Sequence, residues 1–349
     1  MSDRIVLDTV ERILADLCPP EVVNDAENGV WPAALWEALE ESGLTLAWVG
    51  EELGGGGAEV ADGFGILKAA GAWAIPAPLA ETLLAGWLLE QGGLAAPGGA
   101  MTVAPVGAAD NVKLAGGMLS GTARQVPFAR NAGHIALLAA DRILLVEQAS
   151  CALVPGASLA GEARDDIAFD GVRALRSAPA PEGLDRDRLV LAGAAVRSAQ
   201  MAGALSRLLD QSVQYAQERE QFGRPIGRFQ AVQHALADLA GEAAAAEAAA
   251  DAAGEAVAAG DFGPAGVAAI AAAKARAGEA ASKGAAIAHQ VHGAMGFTYE
   301  HSLHHRTRRL WCWRDEFGNE RFWSVRLGRL IAAEGADALW PFLTGSHAA

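Results

Sequence analysis

Apolar residues recur along this 349-residue chain with two different periods, and the changes of period divide it into three parts. Up to about residue 92 the spacing is helical. Leu35, Trp36 and Leu39 share one face of a helix that Gly43 can end. A four-glycine loop at 54–57 precedes a second helical series, about 60–74, and the Ile-Pro-Ala-Pro run at 75–78 separates it from a third at 79–89. Glycine and proline at 92–93 and 97–99 mark a boundary. From 100 to 180 the period shortens. Residues 101–106, 135–139, 142–146 and 167–169 are short apolar runs bounded by Gly, Asp, Asn or Pro. They predict strands, with Ala140-Asp141 as a hairpin turn. From Asp185 the helical period returns over 189–219, 231–260, 263–291 and 322–333. Long helices joined by short turns predict an antiparallel four-helix bundle. The expected fold is mainly α with a small β domain: an N-terminal α domain at 1–97, a β domain at 98–182 and a C-terminal helical bundle domain at 183–349.

Composition narrows what such a fold does. Hydrophobic residues make up 52% of the chain but aromatics only 6%, so alanine must supply much of a closely packed helical core. The run 242–259 is low in complexity, yet alanine is the best helix former and the run reads as a packed helix. A formal net charge of −15 excludes a nucleic-acid surface. A phosphorylated ligand is still possible through local cations or helix N-termini. Cys18, Cys151 and Cys312 form no C-x-x-C pair and predict reduced thiols. The charged, amphipathic start MSDRIVLDTVERIL lacks the apolar core of a signal peptide, and no charge-free apolar run is long enough to span a membrane. The expectation is a cytoplasmic protein without membrane insertion.

The stretch 215–233, YAQEREQFGRPIGRFQAVQ, is the most distinctive in the chain. A helix breaks at Gly223-Arg224-Pro225 and resumes at Phe229, leaving a charged, aromatic elbow between two long helices. The permanently charged fork of Arg219 suits a pyrophosphate. Its alternative is an ion pair with Glu218 or Glu220, with Phe222 stapling the elbow. A second motif, QVHGAMGF at 290–297, can form a turn whose backbone amides approach a phosphate closely. Its alternative is an ordinary glycine-capped helix end.

These two motifs and the α, β, α order resemble the acyl-CoA dehydrogenase family, with its R-x-x-F-G and Q-x-x-G-G-x-G-[FY] signatures. WEALEESGLTLAWVGEELGGGG at 36–57, APLAET at 77–82 and VPFA at 126–129 resemble further family stretches. The resemblance implies FAD and an acyl-CoA thioester substrate, with a carboxylate taking the α proton and flavin N5 the β hydride. It implies that Arg219, Gln221 and Phe222 approach the FAD of a neighbouring subunit, that Phe229 and Gln230 line its adenine side, and that Gln290, Gly293 and Ala294 form the second contact. Ala294 stands where the family has a second glycine.

By the same resemblance Glu316 falls at the position of the base, within Asp315-Glu316-Phe317-Gly318-Asn319-Glu320. Buried and raised in pKa, it would be a competent base. Asp315 and Glu320 compete for the role. A second base position used in the family corresponds to LAGAAVR at 191–197, which offers no carboxylate and ends in Arg197. The flavin-lining T-E-P-x-x-G-S-D and W-x-T/S stretches are absent, and the β domain is shortened. GFTYEH at 296–301 is similar to a variant found in small subunits of heteromeric steroid side-chain acyl-CoA dehydrogenases. A homo-oligomer and a hetero-oligomer with a second acyl-CoA dehydrogenase-like subunit are both open, with electron-transfer flavoprotein the implied acceptor. No metal is expected: no nearby carboxylate completes a convincing set with His301, His304 and His305, the H-x-x-H-H spacing is not a strong ligand signature, and with Arg306, Arg308 and Arg309 they read as a solvated or interfacial cationic patch.

Overall fold

The computed structural model describes residues 2–104, 107 and 109–344. Its first part is helical: α1 (Ser2–Leu17), α2 (Pro20–Glu27), α3 (Ala33–Glu41), α4 (Val60–Trp73) and α5 (Leu79–Gln91). Residues 79–89 of α5 are all buried, as a helix that is apolar on every side requires. It packs between the β domain and the bundle.

Eight strands follow: β1 (Met101–Ala104), β2 (Lys113–Ala115), β3 (Met118–Pro127), β4 (His134–Ala139), β5 (Arg142–Glu147), β6 (Ala152–Val154), β7 (Arg164–Arg173) and β8 (Arg176–Pro179). They form two four-stranded sheets, ordered β1-β4-β5-β8 and β2-β3-β7-β6. β1 runs parallel to β4, and the other pairs are antiparallel. β4 is buried on both faces. Ile135 and Leu137 join the core between the sheets, while Ala136 and Leu138 face the helical core. That double burial explains its unbroken apolar run. Ala140-Asp141 closes the β4–β5 hairpin, with Ala139 opposite Arg142 and Ala140 at φ 56°. Residues 105 and 106, expected to extend β1, lie outside the described residues. β2, β3, β6 and β8 carry polar or half-exposed residues, so an apolar-run reading passes over them.

The chain then becomes helical again. α6 (Arg186–Glu218) starts where the Asp185 carboxylate accepts the backbone N–H of Arg188 at 2.9 Å. A two-residue ladder, β9 (Glu220–Gln221) and β10 (Arg224–Pro225), separates it from α7 (Gln230–Ala258). α8 (Pro264–His292), α9 (Leu303–Asp315), α10 (Glu320–Glu334) and α11 (Leu339–Thr344) complete the order. Alanines on α6, α7 and α8 let these helices pack closely into one core. α6 is long and apolar enough to cross a membrane, but 89% of its apolar window is buried inside the fold, as in a core helix. The three cysteines are free.

α9 was not foreseen as a helix, and its HHRTRRLWCWRD sequence hides a buried face. This corrects the expectation of a solvated cationic patch: Arg306 is 6% exposed and Arg309 0%.

Candidate cofactor elbow and active-site cleft

At the elbow, α6 ends as Arg219 turns extended, at φ −77° and ψ 119°. The chain doubles back through Phe222 (φ 52°) and Gly223 (φ 77°), a two-residue tip of the kind that joins antiparallel strands. Arg219, Gln221, Phe222 and Gln230 are exposed, and Phe229 is half-buried beneath the Arg224 guanidinium, 4.3 Å from its ring centre. Among the described residues Arg219 forms no ion pair. Glu218 instead accepts from the Gln214 amide at 2.8 Å.

The second motif ends α8. Gly293 sits at φ 59° and ψ −138°, a region that glycine alone enters readily. Gln290, Gly293 and Ala294 are exposed. The two motifs meet, because Tyr215 stacks on His292 at 4.4 Å and donates its hydroxyl to the His292 carbonyl at 3.3 Å. Ala216, Ile226 and Val291 form one small core beneath them. All eight proposed cofactor residues therefore gather at one end of the bundle.

Glu316 lies apart from them, lining a cleft of about 1060 Å³ between the β domain and the bundle. Its carboxylate is already engaged on both oxygens. Oε1 accepts from Arg164 Nη2 at 2.6 Å and Nε at 3.1 Å, and Oε2 accepts from Arg197 Nε at 2.7 Å. Arg164 also donates to Glu162 at 3.0 Å, and Glu162 pairs with Arg309 at 2.9 Å. Arg197 also donates to Glu81 on α5. Glu81, Arg197, Glu316, Arg164, Glu162 and Arg309 thus alternate in sign across the interior and tie together α5, α6, β7 and α9. Phe317, at φ 54°, closes the seam: its ring lies where a Cβ on Gly193 of α6 would come within 2.2 Å.

These contacts set the electrostatics. Burial pushes the Glu316 carboxyl up, but Arg164 and Arg197 outweigh it and hold it below its ordinary value. The expected up-shift is thereby corrected, because two buried guanidinium groups sit where a single desolvated carboxyl was anticipated. A carboxylate so held has little affinity for a proton and no free oxygen with which to take one. Asp315 is exposed, and Glu320 pairs with Arg314. The sequence reading missed Glu81, Glu162 and Arg164. Glu81, the one charge in the buried stretch 79–89 of α5, was the legible signal.

The histidines gather with a carboxylate from a distant element. Glu27 of α2 offers an oxygen within 4.8 Å of His304 and His305 nitrogens. Both Glu27 oxygens already accept from Arg308, at 2.6 and 2.7 Å, and His305 Nε2 meets Asn24 at 2.8 Å. Burial and the neighbouring positive groups lower His305 to about 3. The surroundings are cationic and suit neutral imidazoles held by protein partners.

The α, β, α order, the interdomain cleft and the elbow define an acyl-CoA dehydrogenase architecture, and the chain belongs to the acyl-CoA dehydrogenase family. The family's "Acyl-CoA dehydrogenase, C-terminal domain" matches residues 182–318. The acyl-CoA dehydrogenase IpdE2 of Mycolicibacterium smegmatis is 31% identical over 305 residues, covering 86% of this chain and 89% of the relative. The crystal structure of the ChsE4–ChsE5 complex from Mycobacterium tuberculosis contains a chain that superposes with a TM-score of 0.84 at 24% identity, covering 96% of this chain and 98% of that one. A Tcur3481–Tcur3483 steroid acyl-CoA dehydrogenase variant superposes at 0.83 with 25% identity, covering 95% and 98%.

Proposed function

We propose that this chain is the half-site subunit of a hetero-oligomeric, FAD-dependent acyl-CoA dehydrogenase. Its elbow and α8 turn complete a flavin site whose base and acyl pocket belong to the partner. The observation that carries this is Glu316 clamped by Arg164 and Arg197, with Phe317 packed against α6. By resemblance Glu316 stands where the base would be, and its two guanidinium partners engage both of its oxygens. The ChsE4–ChsE5 and Tcur3481–Tcur3483 structures are of two-component assemblies and support a second acyl-CoA dehydrogenase-like chain as partner.

The residues present fit FAD. Arg219 is exposed and forms no ion pair among the described residues, and the Gly293 backbone leaves the turn open to a phosphate. In this reading Arg219 takes the pyrophosphate, Gln221 and Phe222 approach the same FAD, Phe229 and Gln230 line the adenine side, and Gln290, Gly293 and Ala294 form the second contact. When bound, FAD supplies the two-electron acceptor for α,β-dehydrogenation of an acyl-CoA thioester. Electron-transfer flavoprotein as the onward acceptor and a cytoplasmic location belong to the same proposal.

The test is purification of the chain alone and with a co-expressed acyl-CoA dehydrogenase-like partner. Flavin absorbance near 450 nm (about the usual oxidised-flavin band) is expected only in the assembly, and Glu316→Gln should leave its turnover within about threefold. A chain that binds one FAD per copy alone and loses turnover by a factor on the order of a thousand in Glu316→Gln would be a homo-oligomeric enzyme with its own base.

A further inference from the structure

Lys274, on α8, is fully buried. Its Nζ donates to the backbone carbonyl of Arg314 at 2.6 Å and to that of Gly318 at 2.8 Å. These two carbonyls bracket Asp315, Glu316 and Phe317, the turn that forms one wall of the cleft. The Arg314 carbonyl belongs to the last turn of α9, where carbonyls lack helical partners and a cation is favoured. Phe317 is strained at φ 54°, whereas Gly318, at φ 96°, takes a backbone that glycine enters freely. Trp323 Nε1 holds the Phe317 carbonyl at 3.0 Å, and the Asn319 side chain caps α10 at 3.1 Å.

We infer that Lys274 is the positioning residue of this turn. Its amine fixes the Arg314 and Gly318 carbonyls so that Glu316 reaches both Arg164 and Arg197 and Phe317 closes on Gly193. An apolar side chain of equal length would fill the same volume without burying an amine. What it could not supply is two donors at the far end of a long stem, and without them two half-buried carbonyls would lose this partner. Glu316, Glu320 and Asp315 favour the ammonium, while burial and Arg197 oppose it. Burial dominates and lowers Lys274 to about 7. Both the ammonium and the neutral amine keep at least two N–H donors, so the turn is held in either state.

Stability nevertheless records the titration. The folded value lies below the value of about 10.4 for a free lysine, so the unfolded chain binds more protons between those limits. Relative to a variant with a neutral side chain, the wild type should gain stability as pH rises from about 7 to about 10 and show no further change below 7.

The experiment compares Lys274→Met and Lys274→Gln in the full chain by hydrogen exchange over 314–323. Methionine should speed exchange there by roughly tenfold or more while leaving α7 unchanged. Glutamine, whose amide retains two N–H donors, should restore most of the protection. Met and Gln variants that protect the turn equally would show that Lys274 only fills space and would overturn the inference. If the methionine variant does not fold, Lys274→Gln decides the matter alone: protection over 314–323 within about threefold of the wild type supports the inference, and loss of that protection overturns it. Neither measurement uses flavin or turnover, so the result is separate from that of the half-site reading.

Discussion

Two regions of the chain carry arginine in opposite states. At the elbow, Arg219 is exposed and forms no ion pair among the described residues. In the cleft, Arg164 and Arg197 are 8% and 2% exposed, and each is shared between two carboxylates. A buried cation must be neutralised where it stands, so it is committed to the fold. An exposed cation costs the fold little and is available to a ligand. Arg164 and Arg197 tie α5, α6, β7 and α9 together, whereas Arg219 stands at the exposed edge where the flavin contact is proposed.

The largest expected effect tests the committed side. Arg197→Ala would leave Glu81 and Glu316 facing each other across a buried space. It should cost about 3–5 kcal/mol in urea unfolding, the usual consequence of removing one member of a buried ion cluster. Arg219→Ala should change stability by less than about 0.5 kcal/mol, as exposed substitutions do. In the assembly the same change should weaken flavin binding by about 10- to 100-fold, the loss of a bidentate charge-assisted contact. If the two arginines behaved alike in either assay, the contrast between them would collapse.

Glu316→Gln probes the meeting point of the two readings and should cost about 1–3 kcal/mol at neutral pH. Its sign with pH follows from the depressed carboxyl. A group held below its unfolded value contributes stability that is full above that value, about 4.3 for glutamate. That contribution is lost as pH falls through the lower, folded value. The gap between wild type and Glu316→Gln should therefore close in acid, as pH falls below about 4, measured by denaturant midpoints. A gap that instead opened as pH fell would mean the carboxyl is raised, and the base role would return.

How much of this could be read from the sequence depends on whether a residue's partner is local. The long helices follow from apolar spacing within one segment, and 79–89, 101–104, 134–139 and 142–147 are runs whose burial is total or nearly so. The elbow was legible because Gly223 and Pro225 adjoin Arg219 and Phe222. The state of Glu316 was not, because Arg164 lies 152 residues away and Arg197 119. α9 was hidden for the same reason: its arginines and histidines look solvent-facing until Glu27, Glu162 and Asn24 arrive from other elements. Lys274 sits among alanines of α8, and its partners are backbone carbonyls that no side-chain pattern reveals.

The smallest expected effect lies at the elbow tip. Phe222 is 92% exposed and holds φ 52°, a left-handed backbone that costs a bulky residue on the order of 1 kcal/mol. Within this chain it gains only an edge contact with Phe229, at 6.1 Å between ring centres. Asparagine followed by glycine is the preferred pair for such a two-residue tip, and Gly223 is already in place. Phe222→Asn should therefore stabilise the isolated chain by roughly 0.5–1 kcal/mol in thermal or urea unfolding. The same variant should lose flavin retention in the assembly, since the exposed aromatic ring proposed to approach the FAD is then gone. Stabilisation without loss of flavin would show that the ring serves neither the fold nor the cofactor. Destabilisation would show that the Phe222–Phe229 contact outweighs the strain, and the elbow would then be held by its own packing, as the cleft is.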